Sequence, residues 1–297
     1  MKHLETERRN LKTMNLDSMD ISEILKIMNE EDALIPLAIR DSLPEIENVI
    51  KYCVESIKKG GRVIYSGAGT SGRMAVVDAV ETIPTFNAPK GLFTYIMAGG
   101  RDAIYKAIEA VEDSDEQGEK TLEDVEICSD DILIGIAASG RTPFVKGALK
   151  KARSTGCKTV LISNVSEPEL SDDADVVIKA VTGAEVITGS TRLKAGTAQK
   201  MILNMISSAT MIKLGKVYSN LMVDVLTMNE KLKIRAINIV CDATGTDEKS
   251  AEKALEKCEW RAKNAIIQIL LNVSSEKANE LLDQNDGYIR RAVSENE

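Results

Sequence analysis

The sequence contains few of the residue types on which several common functions depend. Only 3% of its 297 residues are aromatic, so it offers little surface on which nucleobases could stack. Its single histidine, His3, lies in a polar N-terminal stretch. A Ser-His-Asp triad, a Cys-His pair or a histidine-rich metal site is therefore excluded within one chain. If the protein is an enzyme, carboxylate, lysine, tyrosine or hydroxyl groups must move the protons.

Cysteine spacing, hydrophobic runs and net charge exclude further classes. The five cysteines are far apart and form no C-x-x-C pair, so neither a disulfide framework nor a structural zinc site is expected. No apolar run approaches the roughly 18 residues of a membrane span, and residues 1–10 lack the apolar stretch of a signal peptide. The net charge of −8 disfavours nucleic acid and anionic membranes as partners. We expect a cytoplasmic protein.

The tripeptide Ser-Gly-Arg occurs twice, each time after a short apolar run. The first copy is Ser71-Gly72-Arg73, within Gly67-Ala68-Gly69-Thr70-Ser71-Gly72-Arg73, and the second is Ser139-Gly140-Arg141, followed by Thr142-Pro143. Each copy predicts a buried strand, a turn of small residues and the start of a helix. Such a turn presents backbone N–H groups and the positive end of a helix dipole, which together favour a phosphate. The two turns predict a site for a phosphorylated small molecule.

Alternating apolar runs and amphipathic segments predict an α/β fold with a doubly wound, mostly parallel sheet. Binding is then expected at the carboxyl ends of the strands, where both turns lie. The predicted strands are 62–66, 92–97, 131–137, 158–163 and 175–178. The predicted helices include one opened by a capping box at Asp20 and Glu23, and others from about 33, from 42 to about 60, and over 71–80, 103–111 and 143–154.

The C-terminal part is predicted to be almost entirely helical after Gly215. Segment 188–197, which is rich in small polar residues, precedes a long helix with Met201, Met205, Ser208 and Ile212 on one stripe, which we expect in the core or in a subunit contact. Further helices are predicted over 228–244, 247–258, 261–271 and 275–282.

Several charged residues are candidates for chemistry. Glu81 follows the helix after the first turn, and Glu112 lies in Val111-Glu112-Asp113. By pattern alone either could be a solvated carboxylate, but with no usable histidine the proton transfer falls to such groups, and burial can raise a glutamate pKa toward neutrality. Arg141 and Lys194 are the cations nearest the turn segments, and either could hold phosphate or simply face solvent.

A dinucleotide site is the alternative interpretation of the first turn, which has G-x-G-x-x-G spacing. The acidic residue expected about 20 positions later at the end of a second strand is absent, so we favour a sugar phosphate. The residues predicted to bind it are Gly69, Thr70, Ser71, Gly72, Ser139, Gly140, Arg141, Thr142, Ser190 and Lys194.

Both turns resemble those of sugar isomerase (SIS) domains. More specifically, the chain resembles the bacterial N-acetylmuramic acid 6-phosphate etherases. The resemblance lies in five further segments, which are residues 6–10 (starting Thr6-Glu7-Arg8), 29–32, 183–186, 189–200 and 220–225 (ending Val223-Asp224-Val225). The resemblance covers essentially the whole chain. It implies a helical lead-in over residues 1–50 that packs on the main domain, an SIS domain over 51–240 and a small ubiquitin-associated-like helical domain over 241–297.

The resemblance implies cleavage of the D-lactyl ether of N-acetylmuramic acid 6-phosphate, a phosphorylated amino sugar, by a homodimer that needs no cofactor and no metal. The family's catalytic acid matches Glu81, and a second glutamate important for activity matches Glu112. We expect Glu81 to protonate the departing lactyl oxygen and Glu112 to act as base or water activator, although their order stays open. Val80-Glu81-Thr82-Ile83-Pro84 departs from the family's Ser-Glu-Cys-Pro-Pro, so the polar support of the preceding serine is missing.

Three rival functions share the fold. The first is a non-enzymatic sugar-phosphate sensor similar to the glucokinase regulatory protein, which carries two SIS domains where this chain has one set of turns. The second is an aldose–ketose isomerase, which needs the same enolisation without ether cleavage. The third is a DNA-binding SIS regulator, which the acidic charge balance disfavours.

Overall fold

A computed structural model describes residues 4–225 and 229–294. His3 and Met228, on which two sequence-based statements depend, lie outside the described residues. The strands are β1 (Val63–Gly67), β2 (Phe93–Met97), β3 (Ile132–Ile136), β4 (Lys158–Ser163), β5 (Val176–Lys179), β6 (Val217–Tyr218) and β7 (Leu221–Met222).

The first five strands form one parallel sheet in the order β2-β1-β3-β4-β5. Every residue of β1 and β3 is buried, because helices cover both faces of the sheet. The α/β prediction is confirmed, and each of the five predicted strands agrees with its observed strand to within one residue at either end. The last two strands form a separate antiparallel hairpin.

The helices are α1 (Ile21–Asp32), α2 (Ile35–Arg40), α3 (Leu43–Lys58), α4 (Gly69–Phe86), α5 (Asp102–Tyr105), α6 (Asp115–Asp124), α7 (Pro143–Thr155), α8 (Lys194–Lys213), α9 (Glu230–Thr244), α10 (Glu248–Lys257), α11 (Ala262–Leu271), α12 (Ser275–Gln284) and α13 (Ile289–Ser294). The predicted capping box at the start of α1 is confirmed. Glu23 N donates to Asp20 Oδ1, and Asp20 N donates to Glu23 Oε2.

The predicted helix 103–111 is wrong beyond Tyr105, where α5 ends. Its last carbonyl groups are taken by a side chain from α4, because Arg73 donates to the backbone oxygens of Ala103, Ile104 and Lys106. The chain then runs without regular structure to α6, which was not predicted. Ser114, which accepts a hydrogen bond from Gln117 N, is the local sequence signal for the start of α6.

Helix α4 is longer than predicted at both ends. It begins at Gly69 and continues through Pro84 to Phe86, so Glu81 lies inside a helix and not at its end. In α8 the stripe of Met201, Met205, Ser208 and Ile212 is not core, since the first three are half-buried and Ile212 is 47% exposed. The buried side of α8 is formed instead by its other apolar residues, Ile202, Leu203, Ile206 and Met211.

The described residues divide into two compact units, one holding 4–80 and 91–207 and the other 81–90 and 208–294. In the second unit, Val223 and Val225 from the stretch after β7 join the core formed by α9 to α13. This division starts the second unit before the sequence-based boundary at residue 241, and the three-domain organisation stays a prediction.

Candidate functional site

The carboxyl ends of β1 and β3 bring the two Ser-Gly-Arg turns together. The strands are adjacent and parallel, and Gly67 pairs with Ile136, so residues 68–72 and 137–142 leave the sheet side by side. From β1 the chain crosses to β2 on one side and then to β3 on the other. Such a reversal of direction opens a crevice above the sheet, which is where ligands bind in folds of this kind.

The first turn (residues 68–72) is packed tightly against the strands below it. A methyl group added at Gly72 would lie 2.8 Å from Met97 Cγ and 2.9 Å from Gly67 O, so this position accommodates only glycine. Gly69 has φ +53°, a conformation that glycine adopts without strain. Thr70 and Ser71, the two hydroxyl residues of the turn, are both half-buried. The turn therefore packs closely on β1 and β2 and places Thr70 and Ser71 in the first turn of α4.

The second turn (residues 137–142) is held from the other side, by the chain that follows β4. Gly140 has φ +69°, and a methyl group there would lie 2.3 Å from Pro168 Cβ. Gly140 O also accepts a hydrogen bond from Leu170 N. Ser139 and Thr142 are half-buried, and Arg141 lies 3.7 Å from the exposed carboxylate of Glu169. An exposed ion pair at this distance is weak, so the Arg141 guanidinium remains available to a ligand.

Glu112 lies directly beside the second turn. Its backbone oxygen accepts a hydrogen bond of 2.9 Å from Phe144 N, in the first turn of α7. A close crossing of two helices supports this arrangement. Methyl groups added at Gly118 of α6 or Gly147 of α7 would lie 2.0 Å from Phe144 O and 1.9 Å from Asp115 O. Glu112 is half-buried, so its carboxylate is within reach of both protein and solvent.

The third predicted segment, residues 188–197, meets the first turn through Gly196. A methyl group at Gly196 would lie 3.1 Å from Thr70 Cγ2. Ser190, one of the predicted ligands, is half-buried in the tight turn that precedes α8. The structure therefore groups this segment with the two Ser-Gly-Arg turns at one edge of the sheet.

Lys194 does not present an open charge to this edge. It is only 2% exposed, and its Nζ donates a hydrogen bond of 2.7 Å to Glu31 Oε2. Glu31 also accepts from Lys12 Nζ and Asn10 Nδ2, each at 2.9 Å. Burial acts to raise the pKa of Glu31, but the hydrogen bonds from Lys194 and Lys12 outweigh it and the pKa is lowered. The role of Lys194 as a phosphate ligand stays a prediction, and the structure places it in a buried ion pair.

The first amides of α8 are occupied as well. Both oxygens of the fully buried Glu185 carboxylate accept hydrogen bonds, from Lys194 N at 3.0 Å and Ala195 N at 2.9 Å. Burial raises the pKa of Glu185, while these two backbone bonds oppose that effect. This helix N-terminus is thus already neutralised by the protein, which leaves the two Ser-Gly-Arg turns as the phosphate-binding candidates.

Sequence reasoning missed a second buried carboxylate network, which lies between β1, α4 and α8. Asp78 is 3% exposed and accepts hydrogen bonds from Tyr65 Oη at 2.9 Å, Asn204 Nδ2 at 2.8 Å and Ser207 Oγ at 3.0 Å. Burial raises the pKa of Asp78 and also raises the pKa of the Tyr65 phenol. The local signal is an aspartate flanked by Val77 and Ala79 in an otherwise apolar stretch of helix. The network holds α4, and with it the first turn, against β1.

Glu81, the predicted catalytic acid, lies in α4 on an exposed position and belongs to the second unit. Glu112 belongs to the first unit with the two turns. Joint action of the two carboxylates stays a prediction.

Over residues 4–225 and 229–294, no three histidine, cysteine, aspartate or glutamate side chains are grouped so that they could hold a metal ion. None of the five cysteines, all of which are described, forms a disulfide bond. None of the helices that the structure describes has the length and hydrophobicity that crossing a bilayer requires.

Comparisons with known proteins agree with this architecture. Residues 45–153 match the family model of the glucokinase regulatory protein N-terminal SIS domain, and residues 105–209 match that of the SIS domain. A solved structure from Bacteroides fragilis, with a proposed assignment as a phosphosugar isomerase involved in capsule formation, superposes with a TM-score of 0.50. It is 22% identical and the match covers 69% of this chain and 94% of that one, so it supports the fold alone.

Full-length relatives are much more similar. The N-acetylmuramic acid 6-phosphate etherase of Petrotoga mobilis is 54% identical over 96% of both chains. That of Pseudothermotoga lettingae is 53% identical over 99% of this chain and 98% of its own. Since both matches span nearly the whole of each protein, the SIS fold and the etherase resemblance deduced from the sequence are confirmed. The chain belongs to the N-acetylmuramic acid 6-phosphate etherase family.

Proposed function

We propose that the protein cleaves the D-lactyl ether of N-acetylmuramic acid 6-phosphate, which yields N-acetylglucosamine 6-phosphate and D-lactate. The observation that carries this proposal is the identity of 54% over 96% of both chains with a relative that bears the etherase name. Two hydroxyl-lined turns and a carboxylate at one sheet edge are consistent with such a substrate. The reaction serves the catabolism of cell-wall amino sugars, and the free cysteines are compatible with a cytoplasmic location.

The first turn and the second turn are proposed to bind the 6-phosphate. Hydroxyl groups of Thr70, Ser71, Ser139 and Thr142 and the Arg141 guanidinium can donate to its oxygens. Backbone amides of the two turns add further donors. Anchoring at the phosphate leaves the other end of the open-chain sugar free to reach Glu112, whose backbone oxygen is bonded to Phe144 N just after the second turn.

The chemistry is an elimination followed by a hydration. The open-chain aldehyde makes the C2 proton acidic, and Glu112 as base removes it. The C3–oxygen bond then breaks as Glu81 protonates the departing lactyl oxygen, which gives lactate and an unsaturated aldehyde. Water adds its hydroxyl at C3 and a proton returns to C2. General acid–base catalysis by positioned side chains typically contributes about 10²–10⁴-fold in rate.

The decisive experiment measures D-lactate release from N-acetylmuramic acid 6-phosphate by the purified protein, with and without EDTA. We expect release in both cases, and its loss in Glu81→Gln and in Glu112→Gln. Glu109→Gln, an exposed glutamate in the same stretch as Glu112, is the matched control and should keep full activity. Binding of N-acetylglucosamine 6-phosphate, followed by calorimetry, should survive in both inactive variants.

A sugar-phosphate sensor is the alternative that this experiment separates. If the wild-type protein binds N-acetylglucosamine 6-phosphate and releases no lactate, the etherase proposal fails and the sensor interpretation replaces it. Interconversion of an aldose and a ketose phosphate without lactate release would favour the isomerase.

We further propose a homodimer, as the family resemblance implies. The first unit exposes large apolar side chains in its N-terminal region, with Leu11 84%, Ile21 78% and Leu25 62% exposed. Large apolar side chains exposed in one N-terminal stretch are candidates for a subunit contact. Light scattering after gel filtration should give twice the chain mass of 32.3 kDa, and Leu25→Lys should shift the mass toward one chain.

A further inference from the structure

A cavity of about 390 Å³ opens at the carboxyl end of β2, the strand that pairs with β1. Met97, Gly99, Gly100, Ala110 and Val111 are among the residues that line it. The size lies within the range of small-molecule sites in proteins, about 300–1,000 Å³. Nothing in the proposed mechanism so far uses this space.

The cavity borders both halves of the proposed site. Met97 lines the cavity and also contacts the first turn, because its Cγ would lie 2.8 Å from a methyl group added at Gly72. Val111, which also lines it, precedes Glu112, and its Cγ2 would lie 3.3 Å from a methyl group at Gly99. A ligand bound between the first turn and Glu112 therefore has this cavity as its neighbour.

The lining has no formal charge and few free polar groups. None of the eight described residues that border the cavity is charged. Ser114 Oγ donates to Glu116 Oε2 and accepts from Gln117 N. Thr121 Oγ1 donates to Gln117 O at 2.7 Å and accepts from Gln117 Nε2 at 3.3 Å. A carboxylate placed here would lose its hydration without gaining a cation, which is costly. A neutral group with an apolar end fits this environment.

We propose that this cavity receives the N-acyl group on C2 of the amino sugar and selects for it. The inference rests on the proposed function, in which Glu112 removes the proton from that same carbon. A substituent of C2 must then lie within a few bond lengths of the Glu112 carboxylate, and the uncharged cavity is lined by Val111, the residue that directly precedes Glu112 in the chain. The lactyl group, which carries a carboxylate, is excluded from it by the same charge argument.

The test compares two substrates, N-acetylmuramic acid 6-phosphate and its N-propionyl analogue, in two variants of one residue. Thr121→Leu adds volume to the cavity wall, whereas Thr121→Val removes the hydroxyl and keeps the volume. One methylene in an apolar pocket discriminates substrates by about 10–200-fold. We expect Thr121→Leu to raise the ratio of kcat/KM for the acetyl over the propionyl substrate by about tenfold or more. Thr121→Val should leave that ratio within about twofold of the wild type.

A variant that enlarges the cavity and a substrate with a different ether group complete the experiment. Val111→Ala enlarges the cavity and should lower the acetyl-to-propionyl ratio, which keeps the test informative if Thr121→Leu does not fold. The analogue with a carboxymethyl ether in place of the lactyl ether reports on the other substituent. The inference is overturned if none of these variants alters acyl selectivity, or if they alter discrimination between the two ethers instead.

The acyl cavity can be tested separately if the proposed etherase activity is not found. If no substrate releases lactate, the variants are compared by calorimetry for binding of N-acetylglucosamine 6-phosphate and of its N-propionyl analogue. A Thr121→Leu variant that weakens the propionyl ligand about tenfold more than the acetyl ligand supports the acyl cavity even then. Equal weakening of the two ligands overturns it.

Discussion

The two Ser-Gly-Arg turns are identical in three consecutive residues and differ in what each residue does. In the first turn, Arg73 donates to three backbone carbonyl groups of residues 103–106, so its charge is used inside the protein. In the second turn, the ion pair of Arg141 within the described residues is a 3.7 Å contact with the exposed Glu169. The same tripeptide therefore supplies a cation bonded to backbone in one copy and a weakly paired cation in the other.

The helices that follow the turns differ as well. The first turn is continuous with α4, which starts at Gly69 and contains Ser71. The second turn stands before α7, whose first residue is Pro143 and whose next amide is taken by Glu112 O. The first turn thus contributes residues to the start of its helix, whereas the second turn precedes a helix whose second amide is bonded to Glu112 O.

The largest effect on stability and on kcat is expected at the crossing of α6 and α7, next to the hydrogen bond between Glu112 O and Phe144 N. In Gly147→Ala, the new methyl group would lie 1.9 Å from Asp115 O, so α6 must move away from α7. Overpacking of this kind costs about 3 kcal/mol, and the shift should draw Glu112 from the second turn. We expect a lower free energy of unfolding in urea and a fall in kcat that exceeds any change in phosphate binding. Ser154→Ala, an exposed position near the end of the same helix whose hydroxyl bonds only within that helix as described, serves as control. An unchanged kcat in Gly147→Ala would show that Glu112 does not need this crossing.

The glycines of the two turns should also differ in their tolerance of a side chain. Gly140→Ala combines a positive φ with a methyl group 2.3 Å from Pro168 Cβ, and we expect a loss of about 2 kcal/mol. Gly69→Ala has the positive φ alone, because no described atom outside its chain neighbours and the backbone of its own helix lies within 4 Å of the new methyl group, and about 1 kcal/mol should be lost. Thermal and urea unfolding of both variants checks this order. Equal losses would mean that backbone conformation, and not crowding by Pro168, makes Gly140 necessary.

Much of this architecture follows from local sequence. Strands β1 and β3 were predicted because five buried apolar or small residues precede a turn of glycine and serine, and that pattern needs no distant partner. The end of α5 could not be predicted, because it depends on Arg73, which lies about 30 residues earlier in α4. For the same reason the sequence left Lys194 as a candidate ligand. Its partner Glu31 is 163 positions away, and only the folded chain brings the two charges together.

The two arginines offer the most direct test of the comparison. Arg73→Met removes three bonds to backbone oxygens, and we expect a loss of about 2 kcal/mol in the free energy of unfolding. Arg141→Met should change that free energy by less than about 0.5 kcal/mol. It should instead raise KM for the sugar phosphate while kcat changes little. Arg141→Lys keeps the charge and should restore part of the affinity. If Arg73→Met leaves stability intact and raises KM, the assignment of the two arginines is reversed.

The smallest expected effect is a difference in how the contributions of two buried aspartates to the free energy of unfolding depend on pH. Asp78 lies in α4, the helix after the first turn, and Asp131 directly precedes β3, the strand that leads to the second turn. Burial raises the pKa of Asp78, because its three hydrogen-bond donors are neutral side chains and compensate only in part. Burial acts in the same direction on Asp131, but hydrogen bonds from the Arg62 guanidinium and from the Cys128 and Arg62 amides outweigh it and lower its pKa.

These opposite shifts predict opposite slopes of stability against pH. A carboxyl group whose pKa is raised on folding binds its proton more tightly in the folded state, so Asp78 subtracts stability progressively as pH rises above about 4. Asp131, with its lowered pKa, contributes stability that is complete above about 4 and is lost as pH falls through its folded-state pKa. Urea unfolding between about pH 3 and pH 7 checks both. Relative to the wild type, Asp78→Asn should gain stability as pH rises. The free energy of unfolding of Asp131→Asn should fall relative to that of the wild type as pH rises to about 4, and the difference should then stay constant. Parallel curves for the two variants would contradict the opposite pKa shifts of the two carboxyl groups.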